Sequence, residues 1–351
     1  MNDNSNIFGK RLAQARRMKG FSLEELAKAV TPSVSRQAIN KYEKGQMMPD
    51  SGMLISLSGV LGMKIDYFFR PFTVEVNNVN FRKRSRMPEA VSAAIREKVR
   101  EELERYLEAE QLCGCNTKFS LHSSLVGSVK EACDHAAEVR EKLGLGMDGI
   151  SNVIEVLEDN GIKVVEIDED SSFDGLSGYA NDTIPVIVVN RNLDAERKRF
   201  TLLHELAHLV LEFENSMSSK EKEHICNAFA SELLMPSVVL LSRLGNSRHD
   251  ISLPELSDLQ RQYGISIDAI MYSLKALGVI SGRRYIGYLD KKKNFPDFKT
   301  LVERTVAIPE TSGRFARMVY RSLADGIISA SKAAVLLNTS VDSVKNRLQL
   351  V

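Results

Sequence analysis

Arg199 to Phe213 read RFTLLHELAHLVLEF, an apolar stretch with two histidines four residues apart and a glutamate directly after the first. On a helix, His204 and His208 lie one turn apart on the same face, with Cβ atoms about 5–6 Å apart. Two imidazoles at that spacing can converge on one zinc ion at Zn–N distances of about 2.0–2.1 Å. Glu205 projects beside them, placed to take a proton from metal-bound water instead of binding the ion, which is the mechanical content of H-E-x-x-H. A third ligand has to come from another element, leaving the fourth position for water. The following helical stretch, SKEKEHICNAFASELLMP, offers Glu221, Glu223 and His224. Glu223 is the first choice, because Cys226 and Asn227 follow it at i+3 and i+4 and so share its helical face. Glu221 and His224 are the reserves, and the alternative for the whole run is a solvated charged face. Asn227 is then the acceptor for the second ring N–H of His204 or His208. An oxyanion needs donors besides the metal, and Tyr179 in SGYA and His249 in SRHD are the candidates. Arg197 and Arg199, just ahead of the histidines, read as salt-bridge partners.

These residues need elements to position them. IKVVEID and IPVIVVN are short β-branched runs, hence strands. VKEACDHAAEVREKLGLG and SNVIEVLEDNG read as helices, as does AERKRFTLLHELAHLVLEF over its whole length; Pro236 stops the helix after it. SLPELSDLQRQYGISIDAIMYSLKALGVIS reads as a helix pair with the look of a helix-turn-helix. Its second helix is largely apolar, which assigns it to the same domain as a packing element.

The N-terminus carries a different pattern. GKRLAQARRMKG ends at Gly20, a natural helix stop. SLEELAKAV opens with Ser22 and Glu25, a capping box. SRQAINKYEKG is capped by Ser35 and stopped by Gly45, and MPDSGMLISLSGVLGMKIDYFF adds two more apolar-faced segments. Ala27 supplies the small residue for a close helix crossing, with Ile39 and Tyr42 buried below. Ser35, Arg36, Gln37, Asn40 and Lys41 are left outward. Arginine reads guanine, and glutamine or asparagine reads adenine, by paired hydrogen bonds in the major groove. Residues 1–50 hold nine Lys/Arg against five Asp/Glu, and residues 71–100 hold seven against three, largely in FRKRSR. Positive charge is therefore concentrated near the N-terminus in a chain whose net charge is only +1. FRKRSR either follows a DNA backbone or is a solvated linker. The highly charged stretch from Pro88 to about Cys113 reads as one long helix, a spacer or a dimer contact.

At 351 residues the chain suits two or three domains. The first residues lack the apolar core of a signal peptide, and no apolar run nears the roughly 18 residues that span a bilayer. The expectation is a cytoplasmic protein without a membrane partner. Cys113, Cys115, Cys133 and Cys226 form no CxxC pair, and Cys113 and Cys115 read as ordinary reduced thiols ahead of an inhibitory metal-ligand role.

Residues 127–282, with RFTLLHELAHLVLEF, E-x-x-C-N-A-F-A-S-E-L-L-M-P, LGLGMDGISNVIEVLEDNGIKVVEI and FDGLSGYANDTIPVIVVNRN in order, resemble the ImmA/IrrE family of bacterial zinc metallopeptidases. The resemblance implies a gluzincin-like site with His204, His208 and Glu223 as Zn2+ ligands and Glu205 as general base. Cys226 departs from it, standing where alanine is more usual, and packing is all that is expected of it. Residues 7–69 resemble the XRE (lambda repressor/Cro-like) helix-turn-helix family, with a turn, VTPSVS, about one residue longer than the tightest form. Such domains usually bind half-sites as dimers, so a homodimer is implied.

The expected architecture is multidomain. An all-α helix-turn-helix domain (1–70), a basic linker and charged helix (71–126), an α+β zincin-like metallopeptidase domain (127–282, including the helix pair 251–282) and a mostly helical C-terminal region of unknown role (283–351) follow in order. The expected function is a transcriptional regulator, a repressor on an operator in double-stranded DNA, whose zinc-dependent endopeptidase cleaves a protein substrate, itself or a partner repressor, on a signal. The alternative is a transcription factor or an antitoxin or immunity regulator whose zinc domain is structural or sensory and not proteolytic.

Overall fold

The computed structural model describes residues 3–72, 79–81, 89–170, 173–306 and 310–348. All of FRKRSR after Phe81 lies outside them. Two compact units form, Met1–Cys115 with Met318–Val351, and Asn116–Arg317.

The first unit begins with α1 (Asp3–Met18), α2 (Leu23–Ala29), α3 (Arg36–Glu43), α4 (Ser51–Leu61) and α5 (Ile65–Phe69), followed by a short strand β1 (Val79–Phe81) and the long α6 (Glu89–Cys113). Side-chain oxygens cap α2, α3 and α4: Ser22 and Glu25 cap α2 reciprocally, Ser35 accepts from the Ala38 amide, and Asp50 accepts from Met53. Phe8, Leu12, Leu26, Ile39, Leu57, Leu61 and Phe68 form the buried centre. α1 and α3 meet at Gly9, where a Cβ would lie 2.4 Å from the Glu43 carbonyl oxygen. Arg16 fixes the same contact by pairing with Glu43 at 2.6 Å.

α6 differs from a bare spacer. Ile95, Val99 and Leu103 are buried, and the acids on that side meet buried arginines. Arg11 Nη1 pairs with Glu104 at 2.5 Å while its Nε donates to the Arg70 carbonyl; Arg70 pairs with Glu101 at 2.7 Å. Charge on this helix is thus partly spent inside the unit, a partner that sequence periodicity alone does not reveal. Cys113 and Cys115 are joined in a disulfide, which corrects the expectation of two reduced thiols: the turn at Gly114 (φ +65°) brings the two side chains together.

The second unit contains β2 (Ser124–Val126), α7 (Val129–Lys142), α8 (Val153–Asp159), β3 (Lys163–Ile167), β4 (Gly175–Ala180), β5 (Ile184–Asn190), α9 (Ala195–Val210), β6 (Leu211–Phe213), α10 (Ser219–Leu234), α11 (Ser237–Leu244), α12 (Leu253–Tyr263), α13 (Ile267–Ala276), α14 (Gly282–Asn294) and α15 (Pro296–Val302). α16 (Arg314–Ala324) then leads back to the first unit, which ends with α17 (Ala330–Leu336) and α18 (Val341–Arg347). β5 pairs with β3 in parallel and with β4 antiparallel. Its Val186–Val189 run is buried on both faces, as an interior strand requires. Gly-Leu-Ser-Gly-Tyr-Ala has too few β-branched residues to read as a strand, and β4 owes its form to the β5 ladder. The helix expected to run on to Phe213 ends at Val210; Leu211–Phe213 instead pairs in parallel with Ser124–Val126. Among the described residues no single helix is long and apolar enough to cross a membrane; α10 and α11 reach that only as a pair bent by 60°.

α9 crosses the core with all but a few of its side chains buried. Asp194 caps it, and Arg199 on its second turn donates to Glu310 at 2.7 Å and to the Ile150 carbonyl at 2.6 Å. Arg197 pairs with Asp174 at 2.9 Å. Both arginines are structural ion-pair partners.

Gly9→Ala is expected to lower stability by about 1–3 kcal/mol, because the added methyl meets backbone and not a movable side chain. Urea denaturation followed by circular dichroism checks it, and an unchanged midpoint would mean that α1 and α3 can separate at no cost.

Candidate metal centre and nucleic-acid interface

α9 and α10 pack along each other and bring three donor groups to one point. His204 Nε2 lies 3.1 Å from Glu223 Oε2, His208 Nε2 lies 3.4 Å from Glu223 Oε1, and the two Nε2 atoms are 3.2 Å apart. All three donor atoms fall within 4.8 Å of one another. The outer ring nitrogens are taken: His204 Nδ1 meets Asn227 Oδ1 at 2.9 Å, and His208 Nδ1 lies 3.6 Å from Cys226 Sγ. An amide oxygen only accepts, so Nδ1 of His204 carries the proton and its Nε2 presents a lone pair inward. Two imidazole nitrogens and a carboxylate facing one point, with the His204 tautomer set from outside, fit a four-coordinate zinc ion that keeps an open position.

The two reserve ligands lie elsewhere for a local reason. Glu221 is the third residue of α10, and its carboxylate accepts from the Ser218 amide and hydroxyl at 2.9 and 2.6 Å, a capping box. Those same bonds hold its carboxyl low. His224 is exposed. Cys226 is fully buried beside His208, more than the packing role expected of it.

Glu205 is buried, and Ser177 Oγ donates to its Oε2 at 2.9 Å. Ser177 was not among the sequence candidates. Strand alternation puts Gly175, Ser177 and Tyr179 on one face of β4. A Cβ at Gly175 would lie 2.7 Å from Thr201 Cγ2 and 3.4 Å from Glu205 Cγ. Small residues at 175 and 177 thus let β4 close on α9. Their alternation with larger ones was the available signal, hidden by the low strand propensity of the segment. Tyr179 is half-buried one pleat further along, while His249 is exposed in the loop between α11 and α12. A second group, His122, His135 and Glu138, also gathers three donor atoms, with His122 and Glu138 exposed.

In the first unit, α3 buries Ile39 and Tyr42 and leaves Ser35, Arg36, Gln37 and Lys41 exposed, with Asn40 half-buried. Ala27 is buried on α2 against it. The Ser35 hydroxyl is engaged as the α3 cap, so the exposed side chains with free polar ends are those of Arg36, Gln37 and Lys41, on one outward surface.

Residues 157–275 match the IrrE N-terminal-like domain family, and residues 12–68 match the helix-turn-helix family. The chain therefore joins a helix-turn-helix region to an IrrE/ImmA-like domain, as its resemblances imply. Over 104 residues, 25% of this chain, it is 32% identical to the radiation response metalloprotease IrrE of Deinococcus deserti, covering 35% of that protein. Over 64 residues, 18% of this chain, it is 36% identical to the SPbeta prophage-derived uncharacterized HTH-type transcriptional regulator YonR of Bacillus subtilis, covering 57% of that protein. The chain thus spans about a third of one relative and just over half of the other.

Asn227→Ala is expected to weaken zinc binding about 10–100-fold, since it removes the group that fixes the His204 ring. His204→Ala and Glu223→Ala should abolish binding of the roughly one zinc per chain expected for a single site. Competition with a chromophoric chelator measures all three. Equal affinity in Asn227→Ala and wild type would remove Asn227 from the centre.

Proposed function

We propose that the chain is a DNA-binding transcriptional regulator, a repressor, whose second unit is a zinc-dependent endopeptidase acting on a regulatory protein, itself or a partner. The observation that carries the peptidase half is the convergence of His204, His208 and Glu223 with a buried carboxylate, Glu205, next on the same helix. Zinc held there would lower the pKa of its water to about 7 and polarise the scissile carbonyl.

The chain's own residues supply the rest. Asn227 keeps the His204 lone pair inward. Ser177 donates to one oxygen of Glu205, which orients the carboxylate that accepts a proton from water. The same carboxylate then returns that proton to the leaving amine. Tyr179, on the Ser177 face of β4, and His249 are the proposed donors to the oxyanion. A zinc domain of purely structural or sensory use has no need of a buried base with its own orienting hydroxyl, and that pair favours proteolysis over the non-proteolytic regulator.

For DNA, Arg36, Gln37, Asn40 and Lys41 enter the major groove, with Ser35 fixing the first turn of α3. Two copies of the chain occupy the half-sites of the operator.

Glu205→Gln is expected to retain zinc and lose cleavage by at least about 10²-fold, the usual scale of general-base contributions. A candidate repressor mixed with wild type and variant, followed by gel and mass spectrometry, reads this out. Cleavage that persists in Glu205→Gln would leave the chain a non-proteolytic regulator. On DNA, Arg36→Ala and Gln37→Ala should each cost about 1–3 kcal/mol on a specific site and relax its base preference. Lys41→Gln should weaken all sequences alike and lower the salt slope by about 1. Titration of labelled duplexes at several salt concentrations separates the two behaviours, and identical base preference in all three variants would take α3 out of the groove.

A further inference from the structure

The C-terminal helices α17 and α18 repeat the helix-turn-helix plan in its tight form. Ser329 caps α17 by accepting from the Lys332 amide, and Ser340 caps α18 by accepting from Ser343. Between them Asn338 adopts φ +50°, the left-handed turn that a short connection needs. α17 and α18 pack on each other, with Ala334 on α17 and Val344 on α18 both buried, a small residue and a β-branched one. α2–α3 likewise buries Ala27 on its first helix and Ile39 on its second; α12–α13 turns at the left-handed Gly264 (φ +62°) and buries Ile270.

What separates the three is the outer face of the second helix. α13 buries Ile267, Ile270, Met271 and Leu274 and is a core element. α18 buries Val344 and leaves Asp342, Lys345, Asn346 and Arg347 exposed. Meanwhile α17 and the turn are seated. Lys332 pairs with Glu108 at 2.6 Å, Arg105 donates to the Leu336 carbonyl at 2.8 Å, and Lys64 donates to the Thr339 carbonyl at 3.0 Å. A docked first helix that holds out a second one bearing Lys, Asn and Arg is the layout of a duplex reader. Lysine and arginine suit phosphate or guanine, asparagine suits adenine, and Asp342 can accept from cytosine N4.

We propose that α17–α18 is a second DNA-contacting module, engaging duplex outside the stretch read by α3. The proposal rests on the reading of α3 as a DNA reader. In the first unit, two helix-turn-helices separated by most of the sequence would then lengthen the site one chain covers.

The test uses the full chain. Duplexes of about 40 bp, roughly four helical turns, are selected from a random library by wild type, then footprinted with wild type, K345Q/N346A/R347Q and R36A/Q37A. The expected result is that the C-terminal triple variant loses one block of protection and at least about tenfold in affinity, and that its salt slope falls by about 2. The α3 variant should lose a different block. A triple variant with wild-type footprint, affinity and slope overturns this proposal alone, provided the α3 variant still loses binding. Selection of no duplex by wild type overturns the α3 reading and this proposal with it. Should the triple variant melt early, Arg347→Gln alone decides the matter: its slope should fall by about 1, and an unchanged slope counts against the module.

Discussion

A helix buried on nearly every face needs partners for most of the polar atoms it carries inward, and α9 carries many. Arg199 is answered by Glu310 and two backbone carbonyls, Lys198 by Glu166, Glu196 by Gln260 and the Val306 amide, Glu205 by Ser177, and the histidines by α10. Much of the second unit is arranged by these demands. β4 approaches with small side chains, α10 lies along the helix, and the segment around Glu310 returns to cover its second turn. The hydrophobic side chains would be content with many packings; the buried ionisable groups accept few. Rigidity at His204 and Glu205 follows from the same accounting.

α10 shows how a local rule places a distant chemical group. The reciprocal cap between Ser218 and Glu221 fixes where the helix starts, and the start fixes its rotation. Glu223 then faces the histidines, Cys226 and Asn227 stand one turn on behind their rings, and Ile225 and Phe229 bury the opposite side. Moving the cap by one residue would turn the helix by about 100° and swing Glu223 away from the histidines. Of the two glutamates in this run, helix geometry thus makes Glu221 a cap and turns Glu223 towards the histidines.

Legibility followed the range of the interactions. The i, i+4 histidines, the caps of α2 and α3, and the stop at Pro236 depend on neighbours a few residues away, and each could be read directly. The residues that need a partner from far along the chain could not. Ser177 meets Glu205 only because β4 is drawn into a sheet by β5, against its own weak propensity. Glu310 answers an arginine 111 residues before it. Leu211–Phe213 has the composition to continue α9 and becomes a strand because Ser124–Val126 is there to pair with it. α6 looked like a solvated rod because its buried partners, Arg11 and Arg70, lie in other helices.

The helix-turn-helix geometry makes the complementary point, that a recognisable local plan does not settle a use. Three pairs among the described helices share a serine cap on the second helix, a short connection and at least one buried residue on that helix. In α12–α13 the second helix is apolar enough that the core takes it, and nothing remains to meet a ligand. In α2–α3 and α17–α18 the second helix keeps one or two anchors and spends its other positions on amide and charged side chains. The free energy of burial decides between the fates: roughly 1.5–3 kcal/mol for each large aliphatic side chain taken out of water. Four such residues commit α13 to the interior, and a single valine leaves α18 free to present its polar face. Composition of that face, not the turn, is what sorts a packing element from a reading one.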